Sequence, residues 1–248
     1  MSCPQMVSFG AAPGCPATTR RKCQPRSFSG CAYKLLEALD TKKHYSISAG
    51  SIKACNSMMT DFLKRTVTSA MELAAAPKRN KMQTITLDTL NSALNLVFPL
   101  PFGRSGRTQL SQDAMSAGDT ALLKFRASSI KQPGCKAHPI RKERHCNITF
   151  PPGMVGSMMR QISHMRVADE AAIKLAAVLQ HLCQEMLQRG MEVTKVAKLV
   201  VGADRRQISQ RFLAAGIKCD EELFDVFPGH IGRSGFVAPS LVAKLTTK

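Results

Sequence analysis

The stretch KLAAVLQHLCQEMLQRG, residues 174–190, places the tightest limit on what this chain can become. Set on a helix at about 100° per residue, Ala172, Leu175, Ala176, Leu179, Leu182, Cys183, Met186, Leu187 and Val193 cover roughly half of the circumference. A helix this apolar cannot lie on the surface of a small domain. It needs partners along its whole length, and they must come from elsewhere in the chain or from another molecule.

With 248 residues and 44% hydrophobic content, the chain can bury a core as one domain or as two. Its 35 lysines and arginines against 17 acids leave +18. That balance points to a polyanionic partner, nucleic acid ahead of an acidic membrane surface. The excess is spread as +4 over residues 1–32, +6 over 33–128, +4 over 129–149 and +4 over 150–248, so it is not confined to one tail.

The nine cysteines, at positions 3, 15, 23, 31, 55, 135, 146, 183 and 219, are odd in number and form no CxxC. Cys55 and Cys183 fall on apolar helical faces, which suits a reducing compartment. The segment CKAHPIRKERHC brings Cys135, His138, His145 and Cys146 together in sequence, but adjacent His145 and Cys146 are poorly placed to ligate one tetrahedral ion, and an ordinary linker is the better reading. The opening MSCPQMVSFGAAPGCPATTRRK lacks a continuous apolar core and carries its charges after the apolar part, the reverse of a secretory signal. No run reaches membrane-spanning length. The expectation is a protein that is intracellular or packaged from inside a cell.

The same plan occurs twice. Residues 1–27, rich in Pro, Gly, Ser and Arg, read as a disordered basic tail. After the short amphipathic piece CAYKLLEALD, Ser48 can cap a long helix to about Ala76 with Ile52, Cys55, Met59, Phe62, Leu63, Val67, Ala70 and Leu73 on one face. Lys53, Asp61, Lys64, Arg65 and Glu72 fall on the other. Pro77 ends it, the basic loop PKRNKMQTI follows, and Thr86 can cap a third helix with Leu87, Leu90, Leu94 and Val97 inward. A further helix is expected over about 108–127. Residues 129–147 hold Pro133, Gly134, Pro139 and five basic residues and read as a linker.

The second half repeats the order: a helix after FPPG, a long helix over about Asp169–Ala197, the loop KLVVGADRRQ, and ISQRFLAAGI. No strand signal stands out. Two short helices cannot enclose the wide stripe of the long one between them, so each half has an unfinished core. The simplest completion is the other half, with the two long helices crossing antiparallel.

At this point the chain resembles the histones. Residues 33–128 resemble histone two-B through ISAGSIKACNSMMTDFLKR, TIT and the extra helix QLSQDAMSAGDTALLKF, and residues 147–248 resemble histone two-A through FPPGMVGSMMR, RVADEAAIKLAAVLQHL, CDEEL and GFVAPSLVAKL. The resemblance implies an all-α chain in which two histone folds form an intramolecular handshake heterodimer. The expected organisation is a tail over 1–27, a two-B-like fold with a C-terminal helix over 28–128, a basic linker over 129–147, and a two-A-like fold with a C-terminal docking segment over 148–248. Linked doublets of this kind are known from giant DNA viruses, which this chain resembles in its arrangement. A linker of 19 residues spans roughly 24 Å when flexible, enough to join two halves of one dimer.

The resemblance also implies how DNA is held: the first loop of one fold lies beside the second loop of the other and presents amides and basic side chains to phosphates. The residues that fall there are Lys42, Lys43 and Ser48, then Lys78, Arg79, Lys81 and Thr84 in the first half, and Arg166, Lys198, Arg205 and Arg206 in the second. Arg166 matches the family arginine that enters the minor groove, the known mode of histone octamers, and Arg206 or Arg205 matches its counterpart in the second loop. Arg160 is a further phosphate contact, while Met154 stands where the family has an arginine. Arg20, Arg21, Lys22 and Arg26 of the tail and Arg141, Lys142 and Arg144 of the linker add diffuse contacts.

The acidic patch of the family is only partly kept. Glu185, Asp220, Glu221 and Glu222 remain, whereas Gln180 and Gln188, and Gln109 and Ala117 in the first half, replace expected acids. Ligands that anchor an arginine on this patch are expected to bind poorly, and tight binding of such a peptide, abolished by Glu221→Ala, would contradict that. The leading functional expectation is a non-enzymatic packaging protein of nucleosome-like particles. It wraps double-stranded DNA without sequence preference, with a second doublet resembling histones four and three as partner. It takes no cofactor, metal, membrane or small-molecule substrate, and belongs in chromatin, in a virion and in the viral factory or nucleus of a host cell. The alternative is a histone-fold transcription or chromatin-regulatory subunit binding DNA as a dimer, which would be sequence-selective. No Gly-rich phosphate loop or nucleophile motif supports an enzyme.

Overall fold

Ser48 starts the long helix of the first half. Its Oγ accepts the Ser51 amide at 3.2 Å and its carbonyl accepts the Ile52 amide at 3.1 Å, satisfying donors that a first helical turn leaves unpaired. Thr86 does the same for the Thr89 amide at 3.3 Å, and Ser209 for that of Phe212 at 3.4 Å. The computed structural model describes residues 27–42, 44–75, 84–98, 108–129, 146, 148–201 and 206–230.

Among these residues the first half forms α1 (Ser29–Leu39), β1 (Ser46–Ile47), α2 (Ala49–Ala75), β2 (Thr84–Ile85), α3 (Leu87–Val97) and α4 (Gln109–Ser129). The second half forms α5 (Pro152–Ser163), β3 (Arg166–Val167), α6 (Asp169–Val201), β4 (Gln207–Ile208), α7 (Gln210–Cys219), α8 (Glu221–Val226) and a 3₁₀ turn, Pro228–His230. The chain is mostly helical.

The four strands, two residues each, are not expected from the sequence, and they organise the molecule. β1 pairs in parallel with β4, and β2 in parallel with β3, so each pair joins one half to the other. A two-residue pair leaves no alternation to read. It forms because the packing of the helices brings two loops side by side.

Packing across the halves is extensive. α6 touches α1, α2, α3 and α4 as well as α5 and α7, and α2 also packs on α5 and α7. One continuous core results, from Phe28 and Leu35 through Met59, Phe62 and Leu94 to Leu179, Met186 and Phe227. All nine residues that define the greasy face of α6 are buried, each contributing on the order of 1–3 kcal/mol according to size. Phe28 stacks on Phe150 at 5.1 Å between centroids and Phe62 meets Phe227 at 6.3 Å, both across the halves, while Phe62 meets Phe98 at 5.3 Å within the first half. Cys31, Cys55 and Cys183 are buried in the same core, as are Met58, Met59, Met158, Met159 and Met186.

Several expectations need correction. α6 runs to Val201 instead of about Ala197, because nothing before Gly202 breaks a helix. Leu73 keeps the period of its face but is 38% exposed, for it lies in the last turns of α2 and outside the shared core. Leu87 and Val97 are half-buried, with Leu90, Ala93 and Leu94 forming the inward face of α3. Lys174 is the largest surprise, with its side chain only 3% exposed and its Nζ on Asp119 Oδ1 of α4 at 2.5 Å. The stem crosses Gly118, where a Cβ would come within 2.8 Å of Lys174 Cγ; a glycine on α4 therefore lets a lysine lie flat between two helices.

Candidate nucleic-acid interface

Two loop pairs sit where the sequence reading puts the DNA contacts. At the first, the Ser46 amide donates to the Arg206 carbonyl at 2.8 Å, the Ser48 amide to the Ile208 carbonyl at 3.0 Å, and Ser51 Oγ to the same Ile208 carbonyl at 2.8 Å. These bonds bring β1 and the N-terminus of α2 against Arg206 and Gln207. Lys42 and Arg206 are exposed, and Lys198 is exposed in the last turn of α6, where a cation complements the helix dipole. Ser48 is half-buried with its hydroxyl given to Ser51, so its work in the fold is capping.

At the second pair Thr84 lies opposite Arg166, and the Ala168 amide donates to the Ile85 carbonyl at 3.0 Å. α5 ends just before it, with His164 in the left-handed region at φ 54°, a helix-ending turn that glycine usually supplies. Ser163 Oγ takes the Met165 amide at 3.2 Å and completes that turn. Arg166 is exposed, while Thr84 is half-buried. Arg160 is exposed on α5, and Met154 packs part-buried against the core. Exposed Arg211 in the first turn of α7 adds a cation near Arg206 that the sequence reading does not single out. Lys43, Lys78, Arg79, Lys81, Arg141, Lys142, Arg144 and Arg205 lie outside the described residues, as do Cys135, His138 and His145.

The acidic residues gather elsewhere. Glu185, Asp220, Glu221 and Glu222 line a cavity of about 510 Å³ together with Asp113 and Glu192. Glu192 lies seven residues beyond Glu185 on α6, a spacing that shares a helical face and could have disclosed it. Several of these carboxylates are already engaged. Glu222 accepts the Gln109 and Leu110 amides at 3.1 and 2.6 Å, capping α4 from the other half. Asp220 caps α8 through the Leu223 amide at 3.1 Å and takes Arg189 Nε at 2.8 Å, while Arg189 Nη1 reaches Glu192 at 3.0 Å. A guanidinium of the chain itself therefore occupies part of the acidic cavity. Burial pulls the pKa of Arg189 down, but Glu192 and Asp220 together outweigh it, and the net shift is upward. Gln180, in place of an acid, accepts the Thr149 amide at 2.6 Å and fixes the approach to α5.

The two halves are also held at their rims. Arg126 donates two bonds of 2.8 Å to Glu170, and its hydrogen bonding holds that carboxyl below the ordinary carboxylate range. Arg65 donates to the Val226 carbonyl at 2.7 Å. The hydrogen bond that the Cys183 thiol donates to Cys55, and then burial, push that thiol well above its ordinary value, so it stays protonated at neutral pH and serves as packing. Among the described residues no group of three His, Cys, Asp or Glu is placed to hold a metal ion, and no helix is long and apolar enough to cross a membrane.

A mostly helical chain with this pattern of loop pairing and exposed arginines is of the histone-fold class. It is 30% identical to a histone two-A, variant 1, of Arabidopsis thaliana over 128 residues, which are 50% of this chain and 90% of that protein. It is 28% identical to a histone two-A of Euphorbia esula over 129 residues, 52% of this chain and 80% of that one. With the z-type histone two-A of Dictyostelium discoideum it shares 29% identity over 97 residues, 39% and 67% of the two chains. No family model matches the chain. The chain belongs to the histone two-A family, through a match that spans about half of its length.

Proposed function

We propose that this protein is a DNA-packaging histone doublet, a two-B-like half over 28–128 and a two-A-like half over 148–248 closed on each other as an intramolecular handshake. The observation that carries the reading is the crossed pairing of loops: β1 beside β4 and β2 beside β3, each pair joining the halves and each with an exposed arginine, Arg206 or Arg166. Paired loops present backbone amides and cations together, the combination that positions a phosphate backbone without reading bases. The +18 charge supplies the long-range attraction.

On this reading the protein is a structural component of nucleosome-like particles, non-enzymatic, and wraps double-stranded DNA without sequence preference. Arg166 and Arg206 enter the minor groove, with Arg160, Lys42, Lys198 and the basic loop residues on phosphates. Its partner is a second doublet resembling histones four and three. Leu96, 68% exposed on α3, and Leu73 on α2 leave apolar surface for such a partner. The fused order is like that of giant-virus doublets; on this reading the DNA is viral, and the protein belongs to the virion and to chromatin in the viral factory or nucleus of the host cell. Nuclease digestion of DNA reconstituted with this protein and the second doublet tests the reading. A discrete protected length is the expected result; a smear, with the second doublet present or absent, contradicts it.

A further inference from the structure

The end of α1 and the segment that follows it, as far as β1, enclose a groove of about 310 Å³. Buried Leu36 and Ile47 line it with Tyr33, which is 52% exposed, and half-buried Tyr45. The chain has two tyrosines and no tryptophan, and both tyrosines are on this groove. Glu37, Asp40 and Ser46 complete the lining. Asp40 Oδ2 accepts the Tyr45 amide at 2.5 Å, which ties the second tyrosine to the C-terminal end of α1. That end carries the partial negative charge of the helix.

Two tyrosine side chains, two carboxylates and a helix C-terminus all favour a cation, and the apolar lining favours one with an apolar surface. A bare ammonium brings three N–H donors that need acceptors, and one oxygen of Asp40 is already taken by Tyr45. A quaternary ammonium has no N–H, spreads its charge over methyl groups, and gains from ring faces and from burial together. We propose that this groove binds a quaternary ammonium, specifically the trimethylated lysine side chain of a basic peptide. Both residues of β1 line the groove, but the inference stands on that lining and does not require DNA binding.

Tyrosine emission of the full-length protein reports on this groove alone, because both emitters line it. The probes are a short Ala/Gly peptide carrying one trimethyllysine, the same peptide with unmodified lysine, and the same peptide with the neutral tert-butyl isostere. The trimethyllysine peptide gives a saturable change, and both controls bind at least about threefold more weakly, the factor that removal of an exposed cation–π interaction implies. Tyr33→Phe, which keeps the ring, retains binding with Tyr45 as reporter, and Tyr33→Leu, at a half-exposed position, weakens it by at least about the same threefold, with an unchanged melting temperature as the check on folding. Equal binding of the neutral isostere, full binding by Tyr33→Leu, or no saturable change overturns the proposal.

Discussion

Arg166 concentrates what a single residue can test. It is exposed, it lies in the dipeptide that pairs with Thr84, and the turn at His164 fixes the approach to it. Arg166→Ala should weaken binding to DNA of any sequence and lower the slope of log affinity against log salt by about 0.9 for each phosphate that is no longer neutralised. A titration over a salt series measures both, and an unchanged slope would remove Arg166 from the interface. Arg189 invites the opposite experiment. Its guanidinium bonds Asp220 and Glu192 inside the acidic cavity, so Arg189→Ala should increase the affinity of an arginine-bearing peptide for that cavity, measured by calorimetry. No increase would mean that this side chain does not block the site. The sequence made Arg166 readable through its motif. It could not disclose the role of Arg189, because an arginine at the edge of an apolar stripe looks like any solvated cation until α7 and α8 bring Asp220 beside it.

At the level of elements, caps made helix starts legible: Ser48 and Thr86 each accept an amide from the first turn they open. What remained hidden depends on two elements meeting. Lys174 falls opposite the apolar stripe, where nothing in the sequence marks it as buried, and only the approach of α4, with Gly118 under its stem and Asp119 at its tip, makes it so. The packing of α7 on α6 gives a sharper test. A Cβ at Gly216 would lie 2.7 Å from the Arg189 carbonyl carbon and 2.8 Å from its oxygen, and backbone cannot step aside as a side chain tip can. Gly216→Ala should therefore destabilise by about 1–3 kcal/mol, despite a helix-propensity gain of up to about 1 kcal/mol. Gly153→Ala on α5, with nothing within 4 Å of the added atom, is the control and should be neutral or stabilising in thermal melts. If Gly216→Ala melts at or above the parent temperature, the packing of α7 on α6 is wrong.

The Arg126–Glu170 pair joins α4 to α6 and carries a pH signature. Because the folded carboxyl of Glu170 sits below the ordinary value, the unfolded chain takes up its proton first as pH falls. The stabilisation is thus complete above the ordinary carboxylate range and is lost as pH drops through the depressed folded value. Glu170→Gln should flatten the loss of stability on that acid side, by a small amount since the pair is exposed. A denaturation series from neutral to acid pH with an unchanged slope would contradict the assignment.

For the molecule as a whole, the apolar stripe of α6 forecast that each half lacks part of its core, whereas the dipeptide pairs that join the halves left no trace in local patterning. Both long helices share one core, with Phe62 of α2 against Phe227 of the other half and Phe28 against Phe150. The tail and most of the linker lie outside the described residues, and the diffuse DNA contacts proposed for them rest on their charge. The central claim is that neither half is complete without the other, and it is tested by producing residues 28–128 and 148–248 separately and following helical circular dichroism through thermal melts. Each half alone should lack a cooperative transition, and an equimolar mixture should regain both helix content and a single sharp melt. A stable, cooperatively melting monomer from either half would contradict the account.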